Sequence, residues 1–141
     1  HSNIFGPYDK FDLEKSHVFG ATVTKVLSSR DGDKITVWGE GKEGRDLLYI
    51  DDLINAIDLI LNNQSSSYSV YNIGYGESIK IKDLVKKIVK FSGKKLAIEY
   101  DISKPSIETN LFLNCKKILK EIGWKRSTNL DDAIRKTINF W

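Results

Sequence analysis

Residues 81–92 read IKDLVKKIVKFS, with Leu84, Val85, Ile88 and Val89 recurring at three- and four-residue intervals and Lys82, Lys86, Lys87 and Lys90 filling most other positions. That period predicts an amphipathic helix, and Gly93 supplies its stop. A second helix is predicted from Leu53 to about Leu61, where Leu53, Ile54, Ile57, Ile60 and Leu61 keep helical spacing and Asp51 or Asp52 stands where an N-cap belongs. Ser16 is placed to cap a helix from His17 to about Ser28, Asn114 a short one ending at Ile122 before Gly123, and Asn129 a last one from near Leu130 to Trp141. Short apolar runs bounded by glycine, proline or polar turns predict strands at 2–5, 34–38, 47–50, 70–73 and 96–100. The sum is a mixed α/β chain with five helices and several short strands. It shows no regular βαβ series and no glycine-rich phosphate turn, which argues against a self-contained dinucleotide-binding domain.

Composition narrows the class. The 141 residues suit one domain, and 40% hydrophobic with 29% charged residues is ordinary for a globular chain. No apolar run approaches the ~18 residues of a membrane span, and no signal peptide is visible. The single cysteine, Cys115, excludes an internal disulfide and suits a reducing cytoplasm. No Cys/His cluster has metal-site spacing, so no metal is expected. A net charge of +3, with Lys and Arg interleaved among acids, offers no concentrated nucleic-acid face but leaves room for a phosphorylated ligand. The chain contains no methionine, so it reads as part of a longer translation product or as one whose first residue was removed.

Three constellations carry candidate chemistry. Asn3-Ile4-Phe5-Gly6-Pro7-Tyr8-Asp9, with Phe11, is a strand running into a tight turn. Ser16-His17-Val18 opens a helix whose first N–H groups favour an anion, and Lys25 follows two turns along. Residues 37–53, VWGEGKEGRDLLYIDDL, join a strand, a glycine-punctuated loop, a second strand and a helix. There Trp38 offers a flat face for stacking, and Arg45 offers a donor fork suited to phosphate. On pattern alone Trp38 fits equally as a core aromatic, and Arg45 as the partner of Asp46 or Asp51.

These segments together resemble the extended short-chain dehydrogenase/reductases, the NAD-dependent epimerase/dehydratase enzymes of nucleotide sugars. VWGEGKEGRDLLYIDDL is similar to their WGxGxxxRDxLYVDDL block, Asn3 to Phe11 to NxYGPxDxF with Phe5 for tyrosine, and residues 71–79, YNIGYGESI, to YNxGxGxxxSI. The SHVxxAxxxK pattern from Ser16 to Lys25 resembles GDP-fucose synthase-like members, with Gly20 where proline is usual. The resemblance implies a small C-terminal substrate-binding region over 1–141, with 1–9 bordering a Rossmann half that lies outside the sequence. It implies His17 as an acid, Asn3 and Ile4 beside the nicotinamide of NAD or NADP, and Val18, Lys25, Val37, Trp38 and Arg45 around a nucleoside-diphosphate sugar. It further implies a cytoplasmic, homodimeric parent, while Asp51 and Asp52 fit helix-capping and structural roles.

Two departures matter. Where the fucose synthase-like pattern reads KPDGTPRKLLD, this chain reads KPSIETNLFLN from Lys104, so Asn110-Leu111 replaces a basic pair. The family's catalytic Tyr-xxx-Lys is absent too. Only Tyr100 has a lysine four residues on, Lys104, and it lies between a strand and a proline turn after the substrate-binding blocks, not on a helix before them. The expected protein is therefore the nucleotide-sugar-binding portion of an NAD(P)-dependent epimerase/dehydratase/reductase, inactive by itself. The alternative is a non-catalytic nucleotide- or RNA-binding protein on the same scaffold.

Overall fold

The computed structural model describes residues 1–13, 15–104 and 109–141. The altered positions Ser106 and Ile107 lie outside the described residues. The elements are β1 (Asn3–Phe5), α1 (Val18–Ser28), β2 (Lys34–Trp38), β3 (Gly44–Arg45), β4 (Leu47–Tyr49), α2 (Ile50–Asn63), β5 (Ile79–Lys80), α3 (Ile81–Ser92), β6 (Ala97–Asp101), α4 (Lys116–Ile122) and α5 (Leu130–Phe140). Among the described residues the strands form three two-stranded sheets: β1 with β4 and β2 with β6 in parallel, β3 with β5 antiparallel. The mixed α/β class expected from the sequence is the class observed.

β4 divides the core. Side chains alternate sides along a strand, so Leu47 and Tyr49 enter one apolar cluster while Leu48 enters another. The first cluster gathers Phe19, Val23 and Val26 of α1, Ile35 and Val37 of β2, Leu84, Val85 and Ile88 of α3, and Ala133 and Ile134 of α5. The second joins Leu48 to Ala56 of α2, Ile118 and Ile122 of α4, and Trp124. A strand buried on both faces explains why its sequence is wholly apolar instead of alternating.

The α3 helix spans the residues its period predicts, with Gly93 left-handed at the C-cap, φ 72°. Asn129 caps α5, its side chain accepting from the Asp131 N–H at 2.8 Å. Other boundaries differ. Helix α2 starts at Ile50, with Tyr49 at the N-cap and no side-chain cap, so Asp51 and Asp52 stand in the first turn, where carboxylates suit the helix dipole. Helix α1 starts at Val18 with His17 at its N-cap, because the Ser16 hydroxyl donates to the Asp12 carbonyl instead. Cys115 holds the N-cap of α4, while Asn114 Oδ1 accepts the Lys116 N–H at 3.0 Å. Residues 70–73 form no strand; the Ile73 carbonyl accepts one bond from the Ser2 N–H at 3.0 Å, and no ladder follows.

Candidate functional site

The loop after β2 is fixed by backbone bonds to three other segments. The Gly39 N–H donates to the Asp101 carbonyl at 2.8 Å and the Gly44 N–H to the Thr109 carbonyl at 2.7 Å. The Gly41 and Glu43 carbonyls accept from the Lys82 and Ile81 N–H groups, at 2.9 and 3.0 Å, at the start of α3. Gly41 holds φ 62°, a conformation that glycine adopts without a Cβ penalty. The result is a braced loop, and the strand residue just before it, Trp38, faces outward. Along β2, Ile35 and Val37 are buried while Lys34, Thr36 and Trp38 are exposed, and Trp38 is 61% accessible. Its indole is a surface platform, not a core aromatic.

Beside that platform lies a pocket of about 340 Å³, whose wall includes Val18, Thr22 and Lys25 from α1, Thr36, Val37 and Trp38 from β2, and Glu43 from the loop. Four of the residues singled out in the sequence, Val18, Lys25, Val37 and Trp38, therefore share one cavity. Lys25 reaches across it, Nζ donating to the Thr36 carbonyl at 3.2 Å. Two of its three N–H donors remain for an anion. Glu43 and Thr36 were not singled out from the sequence. Thr36 sits one residue before Val37 on an alternating strand, a signal that was present; Glu43 enters the wall only through the folding of the loop.

His17 and Arg45 stand apart from this wall. His17 is exposed at the N-cap of α1, one residue from Val18. Its neighbour across the entry loop is Asp9: burial pushes the Asp9 carboxyl up, while the Lys10 backbone N–H and the nearby His17 pull it down. Arg45 is not on the pocket wall. Its guanidinium donates from Nη1 to the Gly44 carbonyl at 3.0 Å and the Thr109 hydroxyl at 3.1 Å. Nor does it pair with Asp46, whose carboxylate accepts from the N–H groups of Tyr75, Leu113 and Gly76 at 2.7, 2.9 and 3.2 Å.

Asn3 and Ile4 lie on β1, which among the described residues pairs with β4 alone. The Asn3 side-chain amide donates to the Asp46 carbonyl at 3.1 Å, so it ties β1 to the constellation of residues 37–53. Ile4 is half-buried. Among the described residues no His/Cys/Asp/Glu group could hold a metal ion, and no helix is long and apolar enough to cross a membrane.

Comparison with known proteins gives this geometry a setting. A model of the NAD dependent epimerase/dehydratase family matches residues 1–74. The chain is 32% identical to the GDP-L-colitose synthase of Yersinia pseudotuberculosis over 99% of its own length and 46% of that protein's. It is 33% identical to the GDP-L-fucose synthase of Sinorhizobium fredii over 96% of its length and 43% of that protein's. The chain thus spans less than half the length of these curated relatives. Among solved structures, DdhaC matches at 28% identity and TM-score 0.78, over 98% of this chain and 50% of that one. A GDP-L-fucose synthetase from Naegleria fowleri matches in fold at TM-score 0.90 and 23% identity, over 99% of this chain and 43% of that one. The match over 1–74 takes in β1, the His17 helix and the whole braced loop, and on it the chain belongs to the NAD dependent epimerase/dehydratase family.

Proposed function

We infer that this chain is the nucleotide-sugar-binding portion of an NAD(P)-dependent epimerase, dehydratase or epimerase-reductase, similar to GDP-fucose synthase-like members. One observation carries the reading. Lys25 of α1 and Trp38 of β2, assigned by resemblance to one ligand from separate motifs, meet in one pocket. In this reading the base or ribose packs on the Trp38 face. Lys25 holds the diphosphate as a point charge. Val18 and Val37 supply apolar wall. His17, at the end of α1 next to Val18, donates a proton to the sugar during epimerisation. Arg45 serves the same ligand by bracing the loop, through Thr109, or by turning toward the phosphates when they arrive.

The nicotinamide cofactor would supply hydride chemistry. The residues present fit one border of it. Ile4 offers an apolar contact beside β1, and Asn3, one amide N–H of which donates to the Asp46 carbonyl, keeps its side-chain oxygen and second N–H for a ligand. The rest of the dinucleotide site belongs, in this reading, to a Rossmann half beyond residues 1–9, in a cytoplasmic and homodimeric parent. The 141 residues alone are then inactive. A non-catalytic nucleotide or RNA binder on this scaffold draws support from one feature, the replacement of the basic pair by Asn110-Leu111.

Calorimetric titration with GDP-, UDP- and dTDP-sugars tests the binding reading. One of the three should bind, and Trp38→Ala and Lys25→Ala should each weaken it by roughly tenfold. No heat with any of the three sinks it. Turnover of the bound nucleotide sugar by the whole natural protein with NAD or NADP separates enzyme from binder.

A further inference from the structure

We propose that the outer side of α3, together with Arg135 of α5, is a docking surface for anionic phospholipid headgroups. It is separate from the nucleotide-sugar pocket and does not depend on it. Residues 80–95 contain seven lysines and one acid, Asp83, whereas the whole chain carries only +3. The remainder of the molecule is therefore net acidic, and positive charge is collected on one segment. Two of the seven lysines serve the fold. Lys87 pairs with Asp131 at 2.6 Å, and Lys94 Nζ donates to the Leu27 and Ser29 carbonyls at the end of α1. Asp83 stands in the first turn of α3, beside the Tyr100 phenol of β6.

Lys82, Lys86 and Lys90 recur every four residues, so they share one side of α3, about 6 Å apart along its axis. Lys82 is half-buried, and Lys86 and Lys90 are exposed. The fold adds a fourth cation. Half-buried Phe91 lies under Lys90 Nζ at 5.8 Å and under the Arg135 guanidinium at 4.0 Å from its ring centroid, which brings exposed Arg135 to the same ridge. Among the described residues none of these four cations has a carboxylate within 4.0 Å, although Lys34, Lys42, Lys87 and Arg126 each do. Ile81 and Val85, from the buried side of α3, line the pocket beside Trp38, so the ridge faces away from that pocket. Its chemistry selects among polyanions. Three of the four cations are lysines, point charges that suit the diffuse field of a headgroup layer, whereas single-stranded RNA favours arginine forks and open aromatic faces. The ring in the ridge, Phe91, is covered by two cations. A specific protein partner needs apolar anchors, and the apolar side of α3 is spent in the core. A headgroup surface needs charge alone, and the acidic remainder of the molecule orients the ridge toward it. Such binding is reversible and screened by salt.

The test is co-sedimentation of the whole natural protein with vesicles of phosphatidylcholine alone, or mixed in equal parts with phosphatidylglycerol. The mixed vesicles should bind it, the neutral ones should not, and binding should fall as salt rises. Lys86→Gln, Lys90→Gln and Arg135→Gln combined should weaken binding by roughly a hundredfold, about fivefold per charge. The single change Lys86→Gln, at an exposed lysine without an ion pair, should give the fivefold loss even if the triple variant melts early. Removing the same charge elsewhere, with Lys116→Gln, Lys120→Gln and Lys125→Gln, should change binding far less. Equal losses in the two triple variants would reduce the effect to net charge and overturn the assignment, as would no binding to the mixed vesicles. Ridge-dependent binding to polyuridylate that is tighter than to the vesicles would overturn it in favour of nucleic acid.

Discussion

At the residue scale, Asp46 does more for this molecule than its place beside Arg45 suggests. It is 3% exposed, and its carboxylate collects N–H groups from two chain segments, Tyr75-Gly76 and Leu113. Gly74 makes this possible: a Cβ there would come 2.7 Å from Asp46 Oδ2 and 3.0 Å from Leu113 Cβ. Asp46→Ala strands three part-buried N–H donors, so it should lower unfolding free energy by about 2–4 kcal/mol in urea titration; a change near zero would contradict the clamp. Cys115 is a milder case. Burial pushes its thiol up, with the Gly74 backbone pulling it down and Asp46 adding to the rise. Alkylation at pH 8 should therefore run slower in the folded protein than in urea, since the thiolate is the reacting form. The folded state holds this proton more tightly, so the associated stability is complete below the ordinary thiol pKa and lost as pH climbs through the raised one. Equal alkylation rates folded and unfolded would refute the shift. Trp38 is a residue whose side the pattern left open between core and surface. In the fold it shares parity with the exposed Lys34 and Thr36 against the buried Ile35 and Val37.

At the element scale, α2 is held by its first turn more than by its apolar stripe. Asp52 is 2% exposed. Its Oδ1 accepts the Ser127 N–H and hydroxyl, each at 2.9 Å, and its carbonyl accepts Trp124 Nε1 at 3.1 Å. These bonds lock the connection between α4 and α5 onto α2. Asp52→Ala should cost about 2–3 kcal/mol, and Trp124→Ala about 3–5 kcal/mol. In a chain of this size each kcal/mol lowers Tm by about 2–4 °C, which a calorimetric scan resolves; variants melting with the unaltered protein would refute the lock. The amphipathic period fixed α3 to the residue because its buried face and its hydrophobic stripe coincide. In α2 they do not: Ala56 and Asp52 face inward while Ile54, Ile57 and Leu61 are exposed, so the stripe gave the helix but misplaced its start and its buried side. Strands β3 and β5 have two residues each, too short for any period, and exist only because the braced loop meets the chain before α3.

At the scale of the whole molecule, the exposed apolar surface is the dominant property. Ile54, Ile57 and Leu61 lie 57, 47 and 79% exposed along one side of α2. Near the two chain ends, exposed Tyr8 packs at a tilt of 58° against Phe140, ring centroids 4.4 Å apart, and Trp141 follows exposed. Apolar surface of this kind marks a contact site or an aggregation liability. The 141 residues produced alone should self-associate with rising concentration in light scattering, and Ile57→Lys with Leu61→Lys should shift them toward monomer; a monodisperse monomer without these changes would refute the expectation. The sequence by itself determined the α/β class, most helices, the family blocks and the ligand type they suggest. It could do so because period, capping residues and motif spacing are local properties that survive without the fold. Only the tertiary structure decided what meets what. It brought Lys25 and Trp38 to one pocket and turned Arg45 away to Thr109. It gave Asp46 to backbone donors near residues 75 and 113, and it set Arg135 of α5 with Lys90 of α3 over Phe91. Those outcomes depend on contacts between residues far apart in the chain, and no local pattern encodes which distant carbonyl, ring or charge a side chain will find.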